Sequence, residues 1–168
     1  MAGIAHLGFA FGAKPVAPKV PLIIFIVAAE LLDILWFLFY IIGIENLSGT
    51  SPWSHGLFMS VIWSILAGSS VGIIFHSSRA GIVTGTIVFS HWILDLITHP
   101  MGAILAGHPL PPDLPLLFNG SPMVGLGLYN HSAMVAYLTE LILTGAGLPI
   151  YFAYKKKAKK TNRRAAGV

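Results

Sequence analysis

The sequence predicts an all-α membrane protein: a four-helix transmembrane bundle with both termini in the cytoplasm and a long Pro/Gly-rich outer loop. Three observations carry this expectation. The 168-residue chain is 55% hydrophobic and 10% charged, against about 25% charged in a typical soluble domain. Four apolar segments reach the length needed to cross a bilayer, roughly 20 residues. All ten Lys/Arg residues fall on one side of the arrangement those segments imply, and the positive-inside rule makes that side the cytoplasm.

The stretch from Gly3 to Gly12 is apolar but too short to span, so it reads as an interfacial or re-entrant piece. It has neither a basic start nor a clear small-residue cleavage site, and no signal peptide is expected. The spans run from about 21–44, 56–75, 80–99 and 132–154. Residues 1–154 form a single transmembrane domain, and 155–168 form a basic cytoplasmic tail. Lys14 and Lys19 precede the first span, Arg79 separates the second from the third, and the other seven basic residues follow residue 154. The loops 45–55 and 100–131 contain no Lys or Arg and face outward. The longer one, rich in Pro and Gly, has the length at which loops often serve as lids.

Charge and composition exclude several classes. The basic residues make a tail rather than a folded surface, which argues against nucleic acid and for contact with anionic membrane lipids. A chain with almost no soluble part also suits packing beside larger membrane protein subunits. With no cysteine, there is no disulfide, thiolate metal site or cysteine nucleophile. A metal would be held by imidazole and carboxylate, which selects zinc, iron or manganese over copper(I).

The third span contains His91, Asp95 and His99 at i, i+4, i+8, one face of a helix. Ionisable groups inside a span are costly and read as functional by default. Counting by helical rise, Asp33 and Glu30 on the first span, Glu140 on the fourth and His55 at the start of the second share the outer half of the bundle. Such groups in low dielectric cannot all be charged and unpaired. A divalent metal resolves the conflict: Asp33, His55, His91 and Asp95, with His99 at the helix end, are the candidate ligands. Glu30 and Glu140 are the candidate catalytic carboxylates, as general base or outer partner to a metal that activates water.

The other polar residues have plainer roles. Glu140, alone on its span, serves equally well as a bond to a neighbouring helix. His76 marks the cytoplasmic boundary, and His108, Asp113 and His131 are expected to be solvated in the loop. The small residues Ser64, Gly68 and Gly72 form a helix-packing face. Ser54–His55 and Ser90–His91 are adjacent pairs, which do not face each other on a helix, so neither is expected to form a Ser–His nucleophile.

The stretches AHLGFAFGAK, AAELLDILWFLFYIIGIE, SPWSHGLFMSVIWS, VFSHWILDLITHP and DLPLLFNGSPMVGLGLYN follow one another along most of the chain. Together, over about residues 4–154, they resemble small bacterial membrane proteins labelled membrane-bound metal-dependent hydrolases, themselves similar to zinc-dependent phospholipase C. The resemblance implies a zinc-dependent hydrolase of the bacterial inner membrane. It implies ligands in the order His6, Asp33, His55, His91-x-x-x-Asp95, then His99 or His108. The superfamily's last motif, His-x-x-x-Glu, is incomplete: Glu140 is present, but Ala136 stands where its His would be. By the charge rule His6 is cytoplasmic, so it reaches the outer half only if the first residues re-enter the bundle. Two functions therefore stand: a hydrolase of an ester or phosphoester, plausibly lipid-borne, and a non-enzymatic accessory subunit of a larger membrane complex.

Overall fold

A computed structural model describes residues 4–46 and 50–165. Residues 1–3, 47–49 and 166–168 lie outside the described residues, and with them part of the outer loop around Gly49 and the end of the basic tail; so do the side chains of Arg163 and Arg164. The chain is mostly helical: α1 (Ala5–Ala13), α2 (Leu22–Ala29), α3 (Leu31–Ile41), α4 (Leu57–Ile74), α5 (Ser78–Thr98), α6 (Gly102–Leu105) and α7 (Ala133–Ala165). Between α6 and α7 a two-stranded antiparallel ribbon pairs β1 (Leu114–Pro115) with β2 (Met123–Val124).

The helices α4, α5 and α7 as far as Thr161 are each long and apolar enough to cross a membrane. The helices α2 and α3 qualify together, but they are bent by 58°. The expected first span is therefore broken at Glu30, and its helix ends at Ile41. Neither Pro nor Gly marks the break. Its local cause is a side chain meeting the helix ladder: the Ala29 carbonyl lies 2.6 Å from His91 Nδ1. At the other end of the chain, α7 runs through the expected tail as one 33-residue helix, with Pro149 inside it.

The hairpin of α4 and α5 turns through residues 75–77, where the Ser77 side chain caps α5 by accepting from the Ala80 amide. Its helices approach closely because the contact is glycine on glycine: a Cβ on Gly68 would lie 2.8 Å from the Gly81 carbonyl oxygen. Ala28, Ala29 and Leu32 pack with Val71, Ala80, Val88 and Trp92 in the same buried cluster. The outward faces remain apolar, with Ile65, Ile73, Ile82, Leu141 and Ile142 largely exposed.

Helix α1 lies within the bundle, against α7. The pair can touch because Gly8 and Gly147 face each other; a Cβ on either would run into the other helix's backbone. The Thr144 hydroxyl donates to the Ile4 carbonyl at 2.7 Å. At the far end, Lys14 Nζ donates to the Pro18 and Val20 carbonyls, closing the turn into α2.

The long loop is tied to the end of α5. A helix leaves its last four carbonyls without partners. Here the amides of Leu126, Gly127, Leu128 and Tyr129 donate to the carbonyls of Leu96, His99, Ile97 and Thr98, at 2.7–3.1 Å. The loop thus packs as a fixed cover over the end of α5.

Candidate metal centre

Asp95 sits on the inward face of α5, fully buried, with four imidazoles around it. His91, one turn earlier on the same helix, puts Nε2 3.4 Å from Asp95 Oδ2. His55, in the turn before α4, puts Nε2 3.5 Å from the same oxygen. His6 from α1 and His99 from the end of α5 put Nε2 3.7 Å and 3.9 Å from Oδ1. Asp33 enters from α3, with Oδ1 3.3 Å from His55 Nε2 and 4.0 Å from His91 Nε2.

These distances are long for hydrogen bonds, which favour about 2.7–3.2 Å. They are close to the edge of a tetrahedron of ligands around zinc, about 3.3 Å for nitrogens at the usual zinc–nitrogen length. Two triads have ligand atoms within 4.8 Å of one another: His6, His91 and Asp95, and Asp33, His55 and His91. His91 belongs to both.

The proton positions agree with that spacing. A carbonyl only accepts, so His91 Nδ1 donates to Ala29. A carboxylate likewise only accepts, so His99 Nδ1 donates to Asp113, 3.1 Å away. In the neutral ring this leaves the Nε2 lone pair facing Asp95, the arrangement by which outer partners orient metal-ligating histidines. Among the described residues, no hydrogen bond joins the atoms that face one another inside the cluster. Buried and unpartnered are His91 Nε2, both Asp95 oxygens, both nitrogens of His6 and Glu30 Oε1. Unpaired acceptors of this kind are costly to bury, and a cation among them satisfies several at once. The residues fit a divalent metal held by imidazole and carboxylate.

The structure brings Asp33, His55, His91, Asp95 and His99 together, and it adds His6. The charge rule put His6 on the cytoplasmic side; it arrives because α1 folds back into the bundle. Glu30 lies at the break between α2 and α3, next to the carbonyl that holds His91. Glu140 has another place. Its Oε2 accepts the Ala5 amide at 2.7 Å, and its Oε1 accepts the Tyr129 hydroxyl at 3.1 Å. A carboxylate at the start of α1 satisfies an unpaired amide and complements the helix dipole. Burial, then the charge of Glu140, pushes the Tyr129 phenol above its ordinary pKa, so it stays a donor. His108 and His131 are exposed, and neither joins a described triad.

Two residues expected to be unimportant have partners here. Asp113, expected to be solvated, bonds His99. Ser54 and His55 do face each other, Oγ 2.9 Å from Nδ1, because they occupy a turn and not the helix, which starts at Leu57. A third residue, Glu45, was not singled out in the sequence; it is buried and accepts from Ser54 Oγ at 2.7 Å. The signal that could have found it is a lone acid in a loop otherwise free of charge.

A cavity of about 390 Å³ opens beside the cluster, lined in part by Asp33, Trp36, Ser51, His55, His99 and Leu114. It gives the ligands a route to the outer-loop side of the molecule. No protein-family model, curated protein or solved structure matches this chain.

Proposed function

We propose that this chain is a membrane-embedded, metal-dependent hydrolase that cleaves an ester or phosphoester of a lipid-borne substrate, with zinc as the metal. One observation carries the reading: buried imidazole nitrogens and carboxylate oxygens face one another at ligand spacing, and His91 Nε2, both His6 nitrogens and both Asp95 oxygens make no hydrogen bond. Asp33, His55, His91 and Asp95 would hold the ion, with His6 and His99 on the second oxygen of Asp95. Iron or manganese fits the same donor set less selectively.

A metal bound there supplies Lewis acidity toward a carbonyl or phosphoryl oxygen and acidifies water. The chain's own residues do the rest. Glu30, with Oε1 buried and unpartnered, is the candidate to accept a proton from the attacking water. Asp33 and His55 face the cavity and orient what enters it. Trp36 and Leu114 line its wall and exclude water from the scissile bond. The apolar outward faces of the helices support a bilayer location, which makes a lipid-borne substrate the natural visitor. The family resemblance suggests the bacterial cytoplasmic membrane, and the Lys/Arg distribution supports an orientation with the cavity on its outer side.

A second reading, an accessory subunit of a larger membrane complex, is favoured by α7, whose apolar window is only 17% buried. That surface suits a neighbouring helix as well as lipid. One experiment separates the two. Detergent-purified protein never exposed to chelator is analysed for metal, then assayed on chromogenic esters and phosphodiesters in mixed micelles. The hydrolase reading expects bound zinc and an activity lost to EDTA and restored by zinc. Protein without metal that copurifies with larger membrane proteins would replace it by the subunit reading.

A further inference from the structure

The third ligand histidine, His55, has no carbonyl or carboxylate on Nδ1. Its neighbour there is the Ser54 hydroxyl, at 2.9 Å, and a hydroxyl can donate or accept. What fixes its direction is Glu45. This buried side chain accepts the Trp53 and Ser54 amides on Oε1, at 2.8 and 3.0 Å, and the Ser54 hydroxyl on Oε2, at 2.7 Å. The two amides lock the carboxylate in place. Because a carboxylate only accepts, the single hydroxyl proton of Ser54 must point at Glu45. The Ser54 oxygen is then left to accept from His55 Nδ1, and the His55 Nε2 lone pair faces Asp33 and Asp95.

We propose that Glu45 is a positioning residue that sets the tautomer of His55 through Ser54, and so makes His55 a metal ligand. The assignment rests on the metal reading above and adds to it a residue that touches neither metal nor cavity. It has a specific chemical consequence. In Glu45→Gln the side-chain oxygen still accepts the two amides, and the new NH₂ occupies the place of Oε2. That group donates to Ser54, so the Ser54 proton turns toward His55 Nδ1. Nδ1 must now accept, and Nε2 carries a proton aimed at the ligand cluster. The hydrogen-bond count at Glu45 is unchanged; only the direction of the chain reverses.

The test has two parts. The first is the zinc affinity of the wild type, Glu45→Gln, Ser54→Ala and the double variant, by competition with a chromophoric chelator. Loss of an outer partner typically weakens metal binding about 10–100-fold. Glu45→Gln should fall at the upper end of that range, and Ser54→Ala, which leaves either tautomer accessible, near the lower end. The double variant should bind more tightly than Glu45→Gln alone, because removing the serine removes the misdirected donor. A role confined to holding the loop expects the opposite order, with the double variant weakest. The second part is ¹⁵N NMR of the His55 ring in metal-free wild type at mildly alkaline pH, which needs no variant to fold and should show the proton on Nδ1. A wild type that takes up no zinc overturns the metal reading. A wild type that takes up zinc but carries the His55 proton on Nε2 when metal-free overturns the Glu45 assignment alone, as does a Glu45→Gln variant with unchanged affinity.

Discussion

The imidazoles of His6 and His91 lie face to face, with ring centroids 3.7 Å apart and planes within 2° of parallel. One comes from α1 and the other from α5, and both rings are buried. Two cationic rings would repel at this distance in low dielectric, so at most one ring of the stack carries a charge; the neutral ring is the form in which histidine binds metal.

The two rings should differ in their effect on metal content. His91 belongs to both ligand triads and His6 to one. His91→Ala should therefore abolish stoichiometric zinc, while His6→Ala retains an ion at Asp33 and His55. Elemental analysis of the two variants beside wild type checks this. Equal metal loss in both would contradict two triads that share only His91.

Chelation should lower thermal stability. Without a cation, the Asp95 oxygens and the His91 and His6 nitrogens face one another unpaired. Each buried unsatisfied group costs about 1–3 kcal/mol. The thermal midpoint of detergent-solubilised protein should fall on EDTA treatment and recover with zinc. Asp95→Asn should lose this response, since the amide supplies donors to the imidazoles and binds metal poorly.

Glu140 offers a choice between chemistry and anchoring. It holds the start of α1 and the Tyr129 hydroxyl, and hydrogen bonds to a charged group are worth about 1.5–3 kcal/mol each. Glu140→Ala should lower stability by a few times that unit at most, and should lower metal content as well, because α1 carries His6. A Glu140→Gln variant with normal stability and full metal but no hydrolysis would mark it as a catalytic base instead.

The α1–α7 contact has its own control. Gly147→Ala puts a methyl into the Gly8 backbone, and such overpacking costs about 1–3 kcal/mol. A Cβ on Gly145, on the same helix, meets nothing within 4 Å. Gly145→Ala should stabilise by up to about 1 kcal/mol through helix propensity alone. Thermal melts of the two variants should shift in opposite directions.

Orientation can be read by labelling, since the chain has no cysteine of its own. Cysteines introduced at Thr50 and Gly120 should react with an impermeant maleimide in intact cells, and one at Ala158 should not. Reaction at Ala158 would sink the orientation drawn from the Lys/Arg distribution.

Much of the cluster was legible because helix geometry converts spacing into direction. His91 and Asp95 share a face by their i, i+4 relation alone, and Asp33 and His55 follow from depth along a span. His6 entered only through the family resemblance; the charge rule set it on the other side. Its place depends on α1 docking against α7 through Gly8 and Gly147, a contact between the two ends of the chain that no local pattern encodes. The break at Glu30 was hidden for a similar reason. The segment carries no Pro or Gly, and the side chain that meets its carbonyl comes from another helix. Ser54 and His55 were judged by helix rules that fail in a turn, so the Glu45 relay, built wholly outside regular structure, was missed although a lone acid in an uncharged loop pointed to it.

The docking of α1 has a consequence in time. α1 is synthesised well before its main partners Glu140, Leu143, Thr144 and Gly147, which lie on α7. Until α7 is made, His6 is held beside His91 only by the packing of α1 on α2 and α5, and a nascent chain lacks the contacts that fix the start of α1. Metal capture in the closed site therefore waits for the final helix, so a chain halted in the long loop should bind zinc weakly and exchange it fast. The slow exchange of a buried ion would then report that the last helix has docked.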